Sequence, residues 1–115
     1  MKLMYSFKYA FRGIRIAWRE GVNFRIHVIA AFLLIVFLFY FHFSYLEAAL
    51  MIGAAALVLF GELVNTALEH MLDILEPRHH PLVGKMKDVT AAAVLIASFG
   101  ALIAGILVGV HHFVK

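Results

Sequence analysis

Three apolar stretches, each long enough to cross a lipid bilayer, constrain the fold of this chain more than any other feature. A membrane-spanning helix needs about 20 predominantly apolar residues. Hydrophobic residues make up 64% of the 115-residue chain, against roughly 45–50% in a soluble domain. The sequence therefore predicts an all-α integral membrane protein with three transmembrane helices, over residues 26–46, 46–75 and 88–112.

A further helix, of a different kind, is predicted over residues 1–22. Apolar residues recur there every three or four positions, and basic residues gather on the opposite side. The apolar stripe is Leu3, Phe7, Phe11, Ile14 and Trp18, and the basic side is Lys8, Arg12, Arg15 and Arg19. This pattern is typical of an amphipathic helix in the membrane interface, either as a plain anchor or with a chemical role. Clustered basic charge beside an apolar run indicates that the partner of these residues is anionic lipid headgroups and not nucleic acid.

The chain is expected to form a single domain over residues 1–115. The distribution of Lys and Arg predicts how this domain is oriented in the membrane. Six of the ten Lys and Arg residues lie in the first 25 residues, none lies in the link 42–45, and three lie in the link 76–88. Positively charged links stay in the cytoplasm, so the N-terminus and the second link are expected there. No cleavable signal peptide is expected, because a short apolar core with a small-residue cleavage site is missing. The absence of cysteine excludes a disulfide framework.

A polar stripe on the second span predicts a functional site. Its members fall within a sector of about 100°; they are Glu62, Asn65, Thr66, Glu69, Asp73 and Glu76. Ionisable residues in a membrane are costly and are functional candidates, and neighbouring carboxylates repel each other unless a cation or a shared proton relieves them. A polar seam between helices is the structural alternative, but carboxylates without a basic partner bind helices together poorly. For Asp73 and Glu76, a solvated helix end is an equal alternative.

The stripe lies at one end of the span. Counted from Tyr45, Glu62 is about 25 Å along the helix, near the inner edge of a hydrocarbon core about 30 Å thick. Glu69 and Asp73 follow in the cytoplasmic interface, where a lipid and a water-soluble cosubstrate can meet. A pore would be polar along the whole helix, so an interfacial enzyme is favoured over an ion-conducting oligomer or a small accessory subunit.

Other polar residues carry weaker signals. Asp88 either caps the third span or, with Lys87, serves a phosphate and a metal. His79 and His80 are paired in a loop without any further metal-ligand spacing, a pattern typical of solvated histidines.

The chain resembles the prokaryotic diacylglycerol kinase and undecaprenol kinase family over nearly its whole length. The resemblance is carried by Glu62-Leu-Val-Asn65-Thr-Ala-Leu-Glu69-His-Met-Leu-Asp73, Lys87-Asp88, Ala91-Ala-Ala-Val-Leu, Ser6-Phe-Lys-Tyr9-Ala and Asn23-Phe-Arg-Ile-His27. It implies a lipid kinase of the bacterial cell membrane, usually a homotrimer with active sites shared between subunits. Such an enzyme transfers the γ-phosphate of ATP, with Mg²⁺, to a lipid hydroxyl.

The resemblance also implies roles for individual residues. Glu62 would be the general base, Asn65 would orient the site, Glu69 would bind the metal and Lys87 would contact phosphate oxygens. The remaining residues expected to line the nucleotide are Tyr9, Asp73, Arg78, His79, His80 and Asp88.

The chain departs from the family pattern at one position. The family's second metal carboxylate stands just before the Asn-aromatic-Arg run, where this chain has Gly21, with Glu20 one residue earlier. Either Glu20 reaches the metal through a distortion that Gly21 permits, or the second ligand is lost and activity is weak. The form of the motif, with His-Pro-Leu in the loop, resembles Gram-positive members and favours undecaprenol over diacylglycerol as the lipid.

Overall fold

The computed structural model describes residues 2–75 and 81–114 as an all-helical protein. The four helices are α1 Lys2–Glu20, α2 Val22–Tyr40, α3 Tyr45–Leu75 and α4 Pro81–Phe113. Helices α2, α3 and α4 are long and apolar enough to cross a membrane. The predicted all-α fold with three membrane-spanning helices is therefore confirmed.

The bounds of the helices differ from the predicted spans. Helix α2 ends at Tyr40 and not at residue 46, because the chain turns there, while two helices begin earlier than predicted. Helix α2 begins at Val22 rather than at residue 26, and α4 begins at Pro81 rather than at residue 88. Hydropathy indicates which part of a helix lies in the hydrocarbon core of the membrane. The helix itself can extend into neighbouring polar sequence, because its backbone hydrogen bonds do not depend on hydropathy. Pro81 is at the first position of α4, where its fixed φ and missing N–H are tolerated. Asp88 consequently lies inside α4, so its alternative role as a helix cap is wrong.

Gly21 separates α1 from α2. Its backbone is extended, with φ −112° and ψ 104°, and its N–H still donates to Ala17 O over 2.8 Å. A Cβ at this position would lie 3.0 Å from Ala17 O and 3.3 Å from Phe24 Cβ, so a larger residue would crowd the bend. The bend places the amphipathic helix α1 against α2 and α3.

A tight turn joins α2 to α3. His42 adopts a left-handed conformation with φ 56°, and the N–H groups of His42 and Phe43 donate to Phe39 O and Leu38 O, which closes α2 in a Schellman motif. Ser44 and Glu47 then open α3 as a capping box: Glu47 N donates to Ser44 Oγ over 3.1 Å and Ser44 N donates to Glu47 Oε1 over 2.9 Å. Residues 42–47 thus supply hydrogen bonds to backbone groups at the end of α2 and at the start of α3.

The core of the helical packing lies near this turn. Leu38, Met51 and Val108 are buried together, one from each membrane helix. Gly105 permits the contact, because a Cβ there would lie 3.2 Å from Met51 Cε. Most other apolar side chains are exposed. In the most apolar 18-residue stretch of each membrane helix, only 11% of the residues of α2, 17% of those of α3 and 6% of those of α4 are buried. The apolar surface that remains is therefore available to lipid or to other chains.

Candidate active site

A polar groove of about 290 Å³ lies between the bend at Gly21 and the second half of α3. Its lining residues are Glu20, Gly21, Val22, Asn23, Glu62, Asn65, Thr66, Glu69 and His70. The groove brings together five of the polar residues that the sequence singled out, from two separate parts of the chain: Glu20, Glu62, Asn65, Thr66 and Glu69. The periodicity of α3 explains why Glu62, Asn65 and Glu69 share one face.

Glu62 is the buried acid of the groove. Its side chain is only 8% exposed, and its Oε1 lies 3.0 Å from Nδ1 of His27 on α2. The distance is that of an ion pair, but the atoms are not aligned for a hydrogen bond, since the buried Nδ1 has no hydrogen-bond partner among the described residues. Thr66 Oγ1 donates to the backbone oxygen of Glu62 over 2.9 Å, which leaves the Glu62 carboxylate to its other neighbours.

Asn65 and Glu69 are linked one turn apart on α3. Asn65 Nδ2 donates to Glu69 Oε1 over 2.9 Å. Asn65 Oδ1 is buried and, within residues 2–75 and 81–114, has no hydrogen-bond partner. A buried acceptor without a donor is costly, so the amide oxygen is free to accept a hydrogen bond or to coordinate a cation in the groove.

Glu20 enters the groove from the end of α1. Its Oε1 lies 3.2 Å from His70 Nε2, and both side chains are about half exposed, at 51% and 50%. The helix is interrupted at Gly21, the position at which a distortion was predicted if Glu20 is to reach a metal. Both carboxylates line the same groove.

The donors in the groove are suited to a hard divalent cation. Mg²⁺ prefers oxygen ligands and is commonly held by one or two carboxylates together with substrate phosphates, and Glu20, Glu69 and Asn65 Oδ1 supply such oxygens. No group of three His, Cys, Asp or Glu side chains in the described parts of the chain is arranged to hold a metal ion by itself. The residues therefore fit a cation that shares its coordination with a substrate, and they do not form a closed structural site.

Of the residues predicted to contact the nucleotide, those that the structure describes do not line the groove. Lys87 on α4 donates to Asp73 Oδ1 on α3, and both are partly exposed. Tyr9 is exposed on α1 with the Arg12 guanidinium 5.6 Å from the centre of its ring, and Asp88 is exposed on α4. Arg78, His79 and His80 fall outside the described residues.

Sequence reasoning missed the basic partners of the acids. It treated the carboxylate stripe as lacking such partners, yet His27 contacts Glu62, His70 contacts Glu20 and Lys87 contacts Asp73. Each pair joins two different helices, so no spacing along one helix could reveal it. For His27, the sequence did offer one indication of a role at the site: it is the polar residue directly before the apolar run of the first span.

Comparison with known proteins identifies the family. The profile of the prokaryotic diacylglycerol kinase family matches residues 8–109. The chain is 36% identical over 104 residues to a diacylglycerol kinase of Synechocystis, covering 90% of this chain and 59% of that protein. It is 32% identical over 105 residues to the diacylglycerol kinase of Escherichia coli, covering 91% of this chain and 86% of that one.

The chain is about as similar to a relative that is named for a different lipid. The chain is 34% identical over 103 residues to the undecaprenol kinase of Bacillus subtilis, covering 90% of this chain and 84% of that protein. The resemblance noted in the sequence is thus confirmed along most of the chain, together with three helices able to cross a membrane. The chain belongs to the prokaryotic diacylglycerol kinase family, a family of membrane lipid kinases.

Proposed function

We propose that this protein transfers the γ-phosphoryl group of ATP to the hydroxyl of a membrane lipid alcohol, in a reaction that depends on Mg²⁺. The observation that carries the proposal is one polar groove that contains both a buried carboxylate, Glu62, and more exposed acids, Glu69 and Glu20. A lipid hydroxyl can approach the deep acid while a water-soluble nucleotide approaches the shallow ones.

Glu62 acts as the general base in this proposal. As the lipid oxygen forms its bond to the γ-phosphorus, Glu62 takes the hydroxyl proton, and the bond from phosphorus to the leaving oxygen of ADP breaks. Proton transfer of this kind contributes about 10²–10⁴-fold to a rate. The burial of Glu62 supports the role, since its side chain is only 8% exposed and lies on a helix that is apolar enough to cross a membrane.

Glu69 and Glu20 would hold Mg²⁺, which supplies neutralisation of the phosphate charge when bound. Asn65 holds Glu69 in place through its amide nitrogen. The bend at Gly21 adds a further favourable feature, because the first residues of α2, Val22 and Asn23, line the groove. A helix N-terminus favours the negative charge of phosphate groups.

The nucleotide would also contact Lys87, Asp73, Asp88 and Tyr9, with the segment 78–80 completing its surroundings. Among the described residues, Tyr9, Asp73, Lys87 and Asp88 do not line the groove of their own chain. Their separation supports a homotrimer in which one subunit supplies the nucleotide residues to the groove of its neighbour. The large exposed apolar surface of the helices is consistent with such an assembly.

The protein would lie in a bacterial cell membrane with its N-terminus in the cytoplasm, where ATP is present. In support of this orientation, the groove is lined by the end of the basic helix α1, and positively charged segments stay in the cytoplasm. Undecaprenol is the favoured lipid and diacylglycerol the close second.

The test is phosphate transfer by purified protein in detergent micelles with Mg²⁺ and ATP. Undecaprenol, diacylglycerol and a lipid without a hydroxyl are offered separately, and labelled phospholipid is measured. We expect transfer to the lipid alcohols alone, with the higher kcat/KM for undecaprenol. Absence of transfer to every alcohol would contradict the proposal, and a higher kcat/KM for diacylglycerol would overturn the order of substrates.

A further inference from the structure

His27 and Glu62 stand where two different cavities meet. Glu62 lines the polar groove. His27 lines a second cavity of about 320 Å³ between α2, α3 and α4, whose walls are mainly aliphatic: Ala30, Ala31, Leu34, Ala55, Val58, Ala101 and Leu102, with Ser98 as the other polar residue. The pair, 3.0 Å apart, therefore forms the boundary between an apolar cavity and a polar one.

The contact between His27 and Glu62 is electrostatic. Nδ1 lies 3.0 Å from Glu62 Oε1, which is the distance of an ion pair, although the two atoms are not aligned as a hydrogen bond. A ring with a hydrogen on Nδ1 presents partial positive charge to the carboxylate, which accepts hydrogen bonds and does not donate them.

The surroundings leave His27 as the principal partner of this carboxylate. Thr66 bonds the backbone oxygen of Glu62, and Asn65 bonds Glu69. Among the described residues, His27 is the basic side chain in ion-pair contact with Glu62. A buried carboxylate needs such a partner to keep a defined position, because burial without compensation is costly.

We propose that His27 is a positioning residue that holds the Glu62 carboxylate at the boundary of the two cavities, oriented toward an incoming lipid hydroxyl. This inference rests on the proposed function, in which Glu62 is the general base. The lipid alcohol would extend its hydrocarbon into the apolar cavity and present its hydroxyl beside the pair. His27 then affects turnover through Glu62 and has no direct part in nucleotide binding.

The test compares His27→Ala, His27→Asn and His27→Gln in the micellar assay with undecaprenol, Mg²⁺ and labelled ATP. An Asn side chain can place an N–H near the position of Nδ1, whereas Gln places it near Nε2. We expect kcat to fall on the order of 10–100-fold in His27→Ala, since small displacements of a catalytic group have effects of that size. His27→Asn should recover most of the loss and His27→Gln should not, with the KM for ATP unchanged in all three.

A double-mutant cycle shows whether His27 acts through Glu62. In a Glu62→Gln background, adding His27→Ala should lower kcat by less than about 3-fold, since residues that act through one contact are not additive. His111→Asn, an exposed histidine at the other end of α4, is the matched control and should keep wild-type kcat. Wild-type kcat in His27→Ala, equal rescue by Asn and Gln, or full additivity would each overturn the inference.

The outcomes separate this inference from the proposed function. A wild-type protein that phosphorylates no lipid alcohol refutes the proposed function and the inference with it. An active wild type with insensitive His27 variants refutes only the inference. If His27→Ala does not fold, the comparison of His27→Asn with His27→Gln decides the question by itself.

Discussion

Asn65 holds Glu69 by a 2.9 Å hydrogen bond from its amide nitrogen, while its own buried amide oxygen has no hydrogen-bond partner among the described residues. The amide nitrogen therefore bonds the Glu69 carboxylate, and the amide oxygen is free to accept a hydrogen bond or to coordinate a cation. The arrangement ties the two most central polar residues of the groove into one unit.

Glu69→Gln should abolish Mg²⁺-dependent lipid phosphorylation while the protein stays folded. The amide keeps the size of the side chain but removes the charge that would bind the cation, and with it the neutralisation of the transferring phosphoryl group. Activity is measured across a Mg²⁺ titration, with helicity and oligomeric state as controls. Turnover near the wild-type value would rule out a metal role for Glu69.

Glu62→Gln should retain nucleotide binding and lose phosphate transfer by about 10²–10⁴-fold, the usual contribution of a general base. The side chain is buried beside His27 and lies deeper than Glu69, so ATP affinity should not depend on its charge. Binding of a fluorescent ATP analogue and single-turnover transfer are measured separately. A large loss of nucleotide affinity would show that Glu62 belongs to the nucleotide site and is not the general base on the lipid hydroxyl.

Glu20→Ala should raise the Mg²⁺ concentration needed for half-maximal activity without abolishing the reaction, since one of two carboxylate ligands is lost. If the half-exposed Glu20 only pairs with His70, the Mg²⁺ curve should be unchanged, because exposed pairs contribute little. Curves for wild type and Glu20→Ala that superimpose would exclude Glu20 from the metal site.

Gly21→Glu tests the same site from the neighbouring position. The resemblance to the family implies that a carboxylate there restores or improves Mg²⁺ binding, but a Cβ at Gly21 would lie 3.0 Å from Ala17 O. We therefore expect tighter Mg²⁺ binding together with lower thermal stability. Gly21→Ala is the control: it should share the loss of stability and leave the Mg²⁺ requirement unchanged. Equal Mg²⁺ curves for Glu and Ala would show that the position does not reach the metal.

Lys87→Met should raise the KM for ATP by about 10-fold or more, because a cation that contacts phosphate oxygens is replaced by an apolar side chain. Lys85→Met is the matched control on the same helix and should leave this KM near the wild-type value. The comparison is made at saturating lipid and Mg²⁺. If both variants behave alike, Lys87 contributes only its ion pair with Asp73.

His112→Ala should lower the thermal stability of the protein and leave kcat unchanged. His112 Nδ1 lies 3.1 Å from Glu47 Oε1, its Nε2 lies 3.0 Å from Phe41 O, and its ring stacks on Phe43 at 3.8 Å. The side chain thus joins α4 to the turn between α2 and α3, at the end opposite the groove. Thermal unfolding in detergent measures the effect; a change in kcat with unchanged stability would contradict this assignment.

The sequence by itself determined the helical architecture and one face of the candidate site. Hydropathy and length predict three spans because a bilayer demands apolar helices of a certain length. The spacing of Glu62, Asn65 and Glu69 places them on one face because helical periodicity is a local property of the backbone. Nothing beyond the neighbouring residues is needed for either conclusion.

The tertiary structure alone decided what the acids contact. The approach of His27 to Glu62, of His70 to Glu20 and of Lys87 to Asp73 depends on how each helix is rotated and shifted against its neighbours. The extended backbone at Gly21 sets that arrangement for α1, and the start of α4 at Pro81 places Asp88 inside a helix. Such contacts join residues far apart in the chain, so they follow from packing and not from the period of any single helix.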